Sequence, residues 1–118
     1  EWFDKMKPLF DSIKNINYHH RPIENKQYGS FVAEFNNKFD IVIIDGQDRV
    51  TCAKNVIGAL KKDGVIIWDN SDRTEYQEGY DFLNKNGYKR IDFVGLGPIN
   101  HYPTSTSIFY QSNNILNI

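Results

Sequence analysis

Two short apolar runs that each stop at an acid constrain this chain more than any other feature. Residues 39–44, Phe-Asp-Ile-Val-Ile-Ile, run into Asp45, and residues 64–68, Gly-Val-Ile-Ile-Trp, run into Asp69-Asn70. Between them Ala53, Val56, Ile57 and Leu60 recur at i, i+3, i+4 and i+7, the spacing of one helix face. Strand, helix, strand is therefore the predicted order, with the helix over 49–62 and Asp48 at its N-cap position. Continuous Ile-Val-Ile-Ile and Val-Ile-Ile runs suit parallel strands covered on both faces.

The flanking segments extend this pattern. Trp2, Phe3, Met6, Leu9, Phe10 and Ile13 predict a helix over 1–14, with Pro8 kinking or restarting it. A short strand is expected at 16–20, a loop at Pro22, and a short helix over 29–35. A helix over 75–86 is opened by Thr74 with Gln77 three residues on, a capping-box pattern, and closed by Asn86-Gly87. Strands over 88–94 and 104–111 have no helix between them and should pair antiparallel across a loop holding Pro98 and Pro103. The fold class is α/β, mostly parallel with a C-terminal antiparallel hairpin. At 118 residues, 1–118 is expected to form a single domain.

Charge and composition remove several function classes. The net charge of -1 leaves no basic stripe for nucleic acid and no polybasic run for an anionic membrane. The apolar runs are far too short to span a bilayer. One cysteine, Cys52, cannot form an internal disulfide and fits a reducing, cytoplasmic compartment. The chain opens directly on a helical pattern, which reads as the continuation of something longer.

The strand-end acids are the chemical candidates. In an open parallel sheet ligands bind outside the carboxyl ends of the strands, and neighbouring strands lie about 4.8 Å apart. Asp45, Asp69 and Asn70 should thus meet at one rim, where two carboxylates and an amide oxygen suit Mg²⁺. Both acids open the same pattern, Asp-x-x-Asp-Arg, at 45–49 and 69–73. Asp48 and Asp72 are explained by capping or by pairing with Arg49 and Arg73, and a local salt bridge is the expected use of both arginines. Arg73 is also carried as a substrate contact for an anionic group. Cys52 has no catalytic partner pattern and takes no nucleophilic role.

At these residues the sequence resembles the class I S-adenosylmethionine-dependent methyltransferases. "FDIVIIDG" (39–46) resembles that family's fourth strand, "LKKDGVIIWDN" (60–70) the segment into its fifth, and "YKRIDFV…TSTSIFYQ" its closing hairpin. The resemblance covers essentially the whole chain as the second half of a Rossmann-like fold, with the final strand inserted back into the sheet. It implies S-adenosylmethionine as cofactor and a small-molecule methyl acceptor, most simply an oxygen. Within the family the cation-dependent O-methyltransferases are closest, and that match implies Asp45, Asp69 and Asn70 as Mg²⁺ ligands. It further implies Asp45 in catalysis, and Ile23, Glu24 and Asp45 around the cofactor. His101, in the loop 95–103, is a candidate general base, and Asn100 and Tyr102 beside it are candidate substrate contacts.

The glycine-rich cofactor turn of that family is missing. "GLGPIN" (95–100) precedes a loop and a strand rather than a helix. Helix 1–14 matches the helix that follows the ribose-binding acid, so the chain alone should be inactive. Strand 39–44 should then form an exposed apolar edge open to self-association, with residues 1–38 poorly packed. Two rival functions remain at this stage. A Mg²⁺-dependent phosphoryl-transfer domain fits the acidic rim, although no phosphate-binding glycine turn is present; phosphoesterase activity abolished by Asp45→Asn would identify it. A non-catalytic binding module of the same fold would fail to bind S-adenosylhomocysteine.

Overall fold

A computed structural model describes all residues from Glu1 to Ile118. The elements that carry the core are β1 (Phe39–Ile44), β2 (Leu60–Asp69), β3 (Lys89–Leu96) and β4 (Pro103–Tyr110). They form one sheet in the order β1-β2-β4-β3. β1 and β2 are parallel; β4 lies antiparallel to both β2 and β3. The α/β class and the antiparallel closing hairpin are as expected, and the last strand does return into the middle of the sheet. One parallel pair and two antiparallel pairs make the sheet mixed.

The helices are α1 (Trp2–Asp11), α2 (Gln27–Ser30), α3 (Arg49–Val56) and α4 (Gln77–Lys85). Alternation along the strands sends Ile44, Ile66, Trp68 and Phe109 to the same face. There they pack with Ala53 and Val56 of α3 and with Tyr80 and Leu83 of α4. Trp68 is the centre, fully buried against the rings of Tyr76, Tyr80 and Phe109. Gly79 is required in α4 because a Cβ there would lie 2.5 Å from the Trp68 ring.

Four local expectations need correction. The helix over 49–62 stops at Val56, because Ala59 instead offers its carbonyl to the Lys38 and Phe39 amides at the start of β1. β2 accordingly starts at Leu60, four residues before the apolar run, and its register against β1 shifts between Phe39 and Ile41. The segment 16–20 is not a strand; Tyr18 turns back to stack between Phe3 and Phe10 of α1. Pro8 lies inside a helix that continues through it. The capping box does not form: residues 74–76 make a 3-10 turn, and Gln77 bonds Asp81. The other end of α4 does follow the sequence signal. Gly87 takes a φ of 88°, with its amide on Asn84 O and the Tyr88 amide on Leu83 O, the two bonds of a Schellman stop.

The second sheet face also departs from expectation. Helices of this chain cover only one face. On the other, Ile41, Ile43 and Phe93 stay 43%, 66% and 57% exposed. Apolar periodicity reports that a strand is built for two covered faces, but not whether the same chain supplies both covers. β1 is an edge strand, as expected. No helix is long and apolar enough to cross a membrane.

Candidate functional site

The carboxyl ends of β1 and β2 lie side by side because the strands are parallel and in register, Ile44 opposite Trp68. The loops 45–48 and 69–73 therefore leave one rim of the sheet. The side chain that organises them is Arg49, the first residue of α3, 8% exposed. Its Nε donates to Gly46 O at 2.7 Å. NH1 donates to Asp69 O and to Asn70 Oδ1, the latter at 3.3 Å. NH2 donates to Asp45 O at 3.3 Å and to Asp45 Oδ1 at 3.4 Å. The guanidinium also lies over the Tyr76 ring, 5.5 Å from its centroid.

This arrangement does not support the metal assignment. Asp45, Asp69 and Asn70 are brought to one rim, yet they do not form a shared ligand set for Mg²⁺. The Asp69 carboxylate turns away to accept from Thr106 Oγ1 at 2.7 Å. Asn70 Oδ1 and Asp45 Oδ1 are taken by Arg49. No group of three or more His, Cys, Asp or Glu side chains is placed to hold a metal ion. The donor set does not fit Mg²⁺, because a fixed positive charge already sits among its oxygens.

The far side of loop 69–73 is sewn to β4 and β3. The Ser71 amide bonds Ser105 O at 2.8 Å, and the Ser105 amide bonds Asp72 Oδ1 at 2.9 Å. Ser71, Ser105 and Ser107 are buried and join hydroxyl to hydroxyl. Ser107 continues the chain by donating to Asp92. Arg90 caps it, bonding Ser71 O at 2.7 Å and Asp92, and lying over the Tyr80 ring. Burial alone would raise the Asp92 carboxyl, but the Ser107 hydroxyl and the Arg90 guanidinium outweigh it and hold it below the usual carboxylate value. Asp72 thus serves a strand amide, and Arg73 pairs with Glu75 at 3.9 Å.

On its outer side the rim borders two clefts. One, of about 250 Å³, is lined by Asp45, Gly46, Tyr28, Gly29 and Cys52 among others. The adjoining cleft, of about 920 Å³, is lined by Glu1, Trp2, Ile23, Glu24, Tyr28 and Gly46 among others. Of the expected cofactor residues, Ile23 and Glu24 line the larger cleft and Asp45 the smaller, with Gly46 and Tyr28 among the residues common to both. A Cβ at Gly46 would meet the Tyr28 hydroxyl at 1.9 Å, so a side chain there would have to displace the tyrosine. The Asp45 carboxylate remains 62% exposed beside these clefts. Burial pushes the Cys52 thiol up to about 11, which agrees with a non-nucleophilic residue. A third cleft, of about 620 Å³, runs along the open edge of β1 between Asn17, His19 and Ile41.

Arg73, Asn100, His101 and Tyr102 line none of these three clefts. His101 and Tyr102 are exposed on the β3–β4 loop. Sequence reasoning missed Tyr28 and gave Arg49 only a local salt bridge. For Arg49 a signal existed: an arginine four residues beyond the strand-end acid, at the first turn of a helix, can reach back to the rim. For Tyr28 there was none, since its approach to Gly46 depends on how residues 22–30 fold over α3.

No protein-family model matches the chain, and comparison with curated proteins finds no significant match. Solved structures do match. A precorrin-6y C5,15-methyltransferase from Geobacter metallireducens GS-15 aligns with a TM-score of 0.62 at 17% identity, over 92% of this chain and 60% of that one. Spermidine synthase from Thermotoga maritima aligns with a TM-score of 0.59 at 19% identity, over 80% of this chain and 38% of that one. The likeness is one of fold, and this chain spans less than two thirds of either neighbour.

Proposed function

We propose that this chain is the C-terminal part of an S-adenosylmethionine-dependent methyltransferase that transfers a methyl group to an oxygen of a small molecule. The observation that carries the reading is topological. β4 inserts antiparallel between β2 and β3, and the loops after β1 and β2 share one rim beside a large cleft. The likeness to a methyltransferase of known structure supports it.

The residues of the cleft fit part of such a cofactor. Glu1 and Glu24 offer carboxylates to hydroxyl groups, and Trp2 and Ile23 offer apolar surface to a flat ring. When bound, the cofactor supplies an activated methyl group on a sulfonium centre. What this chain would contribute is placement: an exposed Asp45 carboxylate held at the cleft wall, and loops fixed by Arg49 and by the serine seam. Arg49 sits among the oxygens of the rim that suggested magnesium-dependent phosphoryl transfer, which weighs against that rival.

The test is the coding sequence directly upstream of Glu1, followed by calorimetry on the product that it specifies. A strand, a glycine-rich turn, a helix and a second strand ending in an acid are expected, with saturable binding of S-adenosylhomocysteine. An unrelated upstream sequence, or a longer product with no such binding, would overturn the reading. The 118-residue chain by itself should transfer no methyl group.

A further inference from the structure

Arg49 has an unusual completeness. A guanidinium carries five N–H groups. Here there are five contacts: Nε to Gly46 O, NH1 to Asp69 O and Asn70 Oδ1, NH2 to Asp45 O and Asp45 Oδ1. The acceptors are three main-chain carbonyls, one carboxamide and one carboxylate, the oxygen types that hard divalent cations select. The oxygens come from both strand-end loops, and the side chain that joins them is 8% exposed.

We infer that Arg49 is a built-in cation: a positioning residue that takes the place of a divalent ion at this rim, holding Asp45 and Asn70 in fixed relation and making the rim metal-free. A guanidinium carries a delocalised, permanent charge. Its planar fork imposes direction on each acceptor, which a spherical ion does not. One oxygen of Asp45 is engaged, and the carboxylate is still 62% exposed, so the anchored group faces the cleft with acceptor capacity to spare. A divalent ion entering here would meet the like charge of the Arg49 guanidinium. Asn70, at a φ of 52°, lies in left-handed backbone, which asparagine tolerates and which contacts to its side chain can steady. The contact of Arg49 with its side chain is one such hold. This inference does not depend on the methyltransferase reading, since it concerns how the rim is held and not what binds beside it.

The test is a titration of the ¹⁵N-labelled chain with MnCl₂, following paramagnetic broadening at the Gly46 and Asn70 amides. No saturable broadening is expected up to about 1 mM, the weak end for protein oxygen sites. Saturable loss of both signals below that, abolished by Asp45→Asn, would overturn the inference. Arg49→Ala should shift both amides and expose the oxygens, and methylguanidinium should return the resonances toward their original positions. If the Ala variant folds and both amides stay where they were, Arg49 positions nothing and the inference fails. Arg49→Lys keeps the charge but loses the fork. It should still exclude Mn²⁺ while shifting the Asn70 amide; an unmoved Asn70 amide in that variant would equally overturn the role, even if the Ala variant does not fold.

Discussion

Residues 1–38 and residues 39–114 contain similar proportions of apolar side chains and end in different states. In the first region the single buried residue is Gly29, pressed against Thr51 of α3. Trp2 and Leu9 of α1 are 70% and 60% exposed, and the aromatic rings there mainly contact one another, as Phe3 and Phe10 do with Tyr18. In the second region Val65, Ile66, Trp68 and Leu83 are wholly buried. The difference lies in what each apolar face meets. α3 and α4 face a sheet, whereas α1 and the segment after it face solvent and each other. Hydrophobic residues stabilise in proportion to the area removed from water, and α1 removes little.

Hydrogen exchange tests this contrast at its widest. Amides of β2 and β4 should open only by global unfolding, roughly 5–15 kcal/mol, while α1 amides should exchange at close to the unfolded rate. Equal protection in the two regions would break the comparison. Next in size is a pair of tryptophans. Trp68→Ala should cost about 3–5 kcal/mol in urea denaturation, by emptying the space between Tyr80 and Phe109. Trp2→Ala should stay within about 0.5 kcal/mol. A comparable loss at both sites would mean that α1 packs in solution.

A smaller effect sharpens the picture inside the second region. Alanine for glycine usually strengthens a helix, yet Gly79→Ala should weaken this protein by about 1–3 kcal/mol, because the new methyl overpacks Trp68. A gain in the urea midpoint would show that α4 sits further from the sheet. The smallest effect is electrostatic. The folded Asp92 carboxyl titrates below its unfolded value of about 3.9, so its contribution is present above that pH and is lost as pH falls through the folded value. Between neutrality and pH about 2, Asp92→Asn should lose less stability than the parent below pH about 4. Parallel acid limbs would place the dependence on other carboxylates.

Much of the rim was legible in advance. Apolar runs that stop at Asp45 and Asp69 marked two strand ends, and the helix between them made those strands parallel neighbours. The contents of the rim were not legible in the same way. Asp45, Asp69 and Asn70 read as three side-chain oxygens at one rim, and in the structure Arg49 engages those of Asp45 and Asn70 while that of Asp69 accepts from Thr106. The strand expected at 16–20 failed for a related reason. Alternating residues give a segment the capacity to pair, but pairing needs an adjacent edge, and Tyr18 found the rings of α1 first.

The sequence by itself determined the α/β class, the span of β1, the glycine-led stop at the end of α4 and the convergence of two strand-end loops. These depend on local periodicity, on φ at single residues and on short connections, all of which are written in consecutive positions. Only the tertiary structure decided that β2 begins at Leu60, that Ile41, Ile43 and Phe93 stay exposed on the sheet face away from α3 and α4, that Asp72 serves β4 instead of Arg73, and that Arg49 gathers five oxygens. Each of those depends on which groups meet across the chain, and a buried charge or amide takes whichever partner the packing leaves within reach.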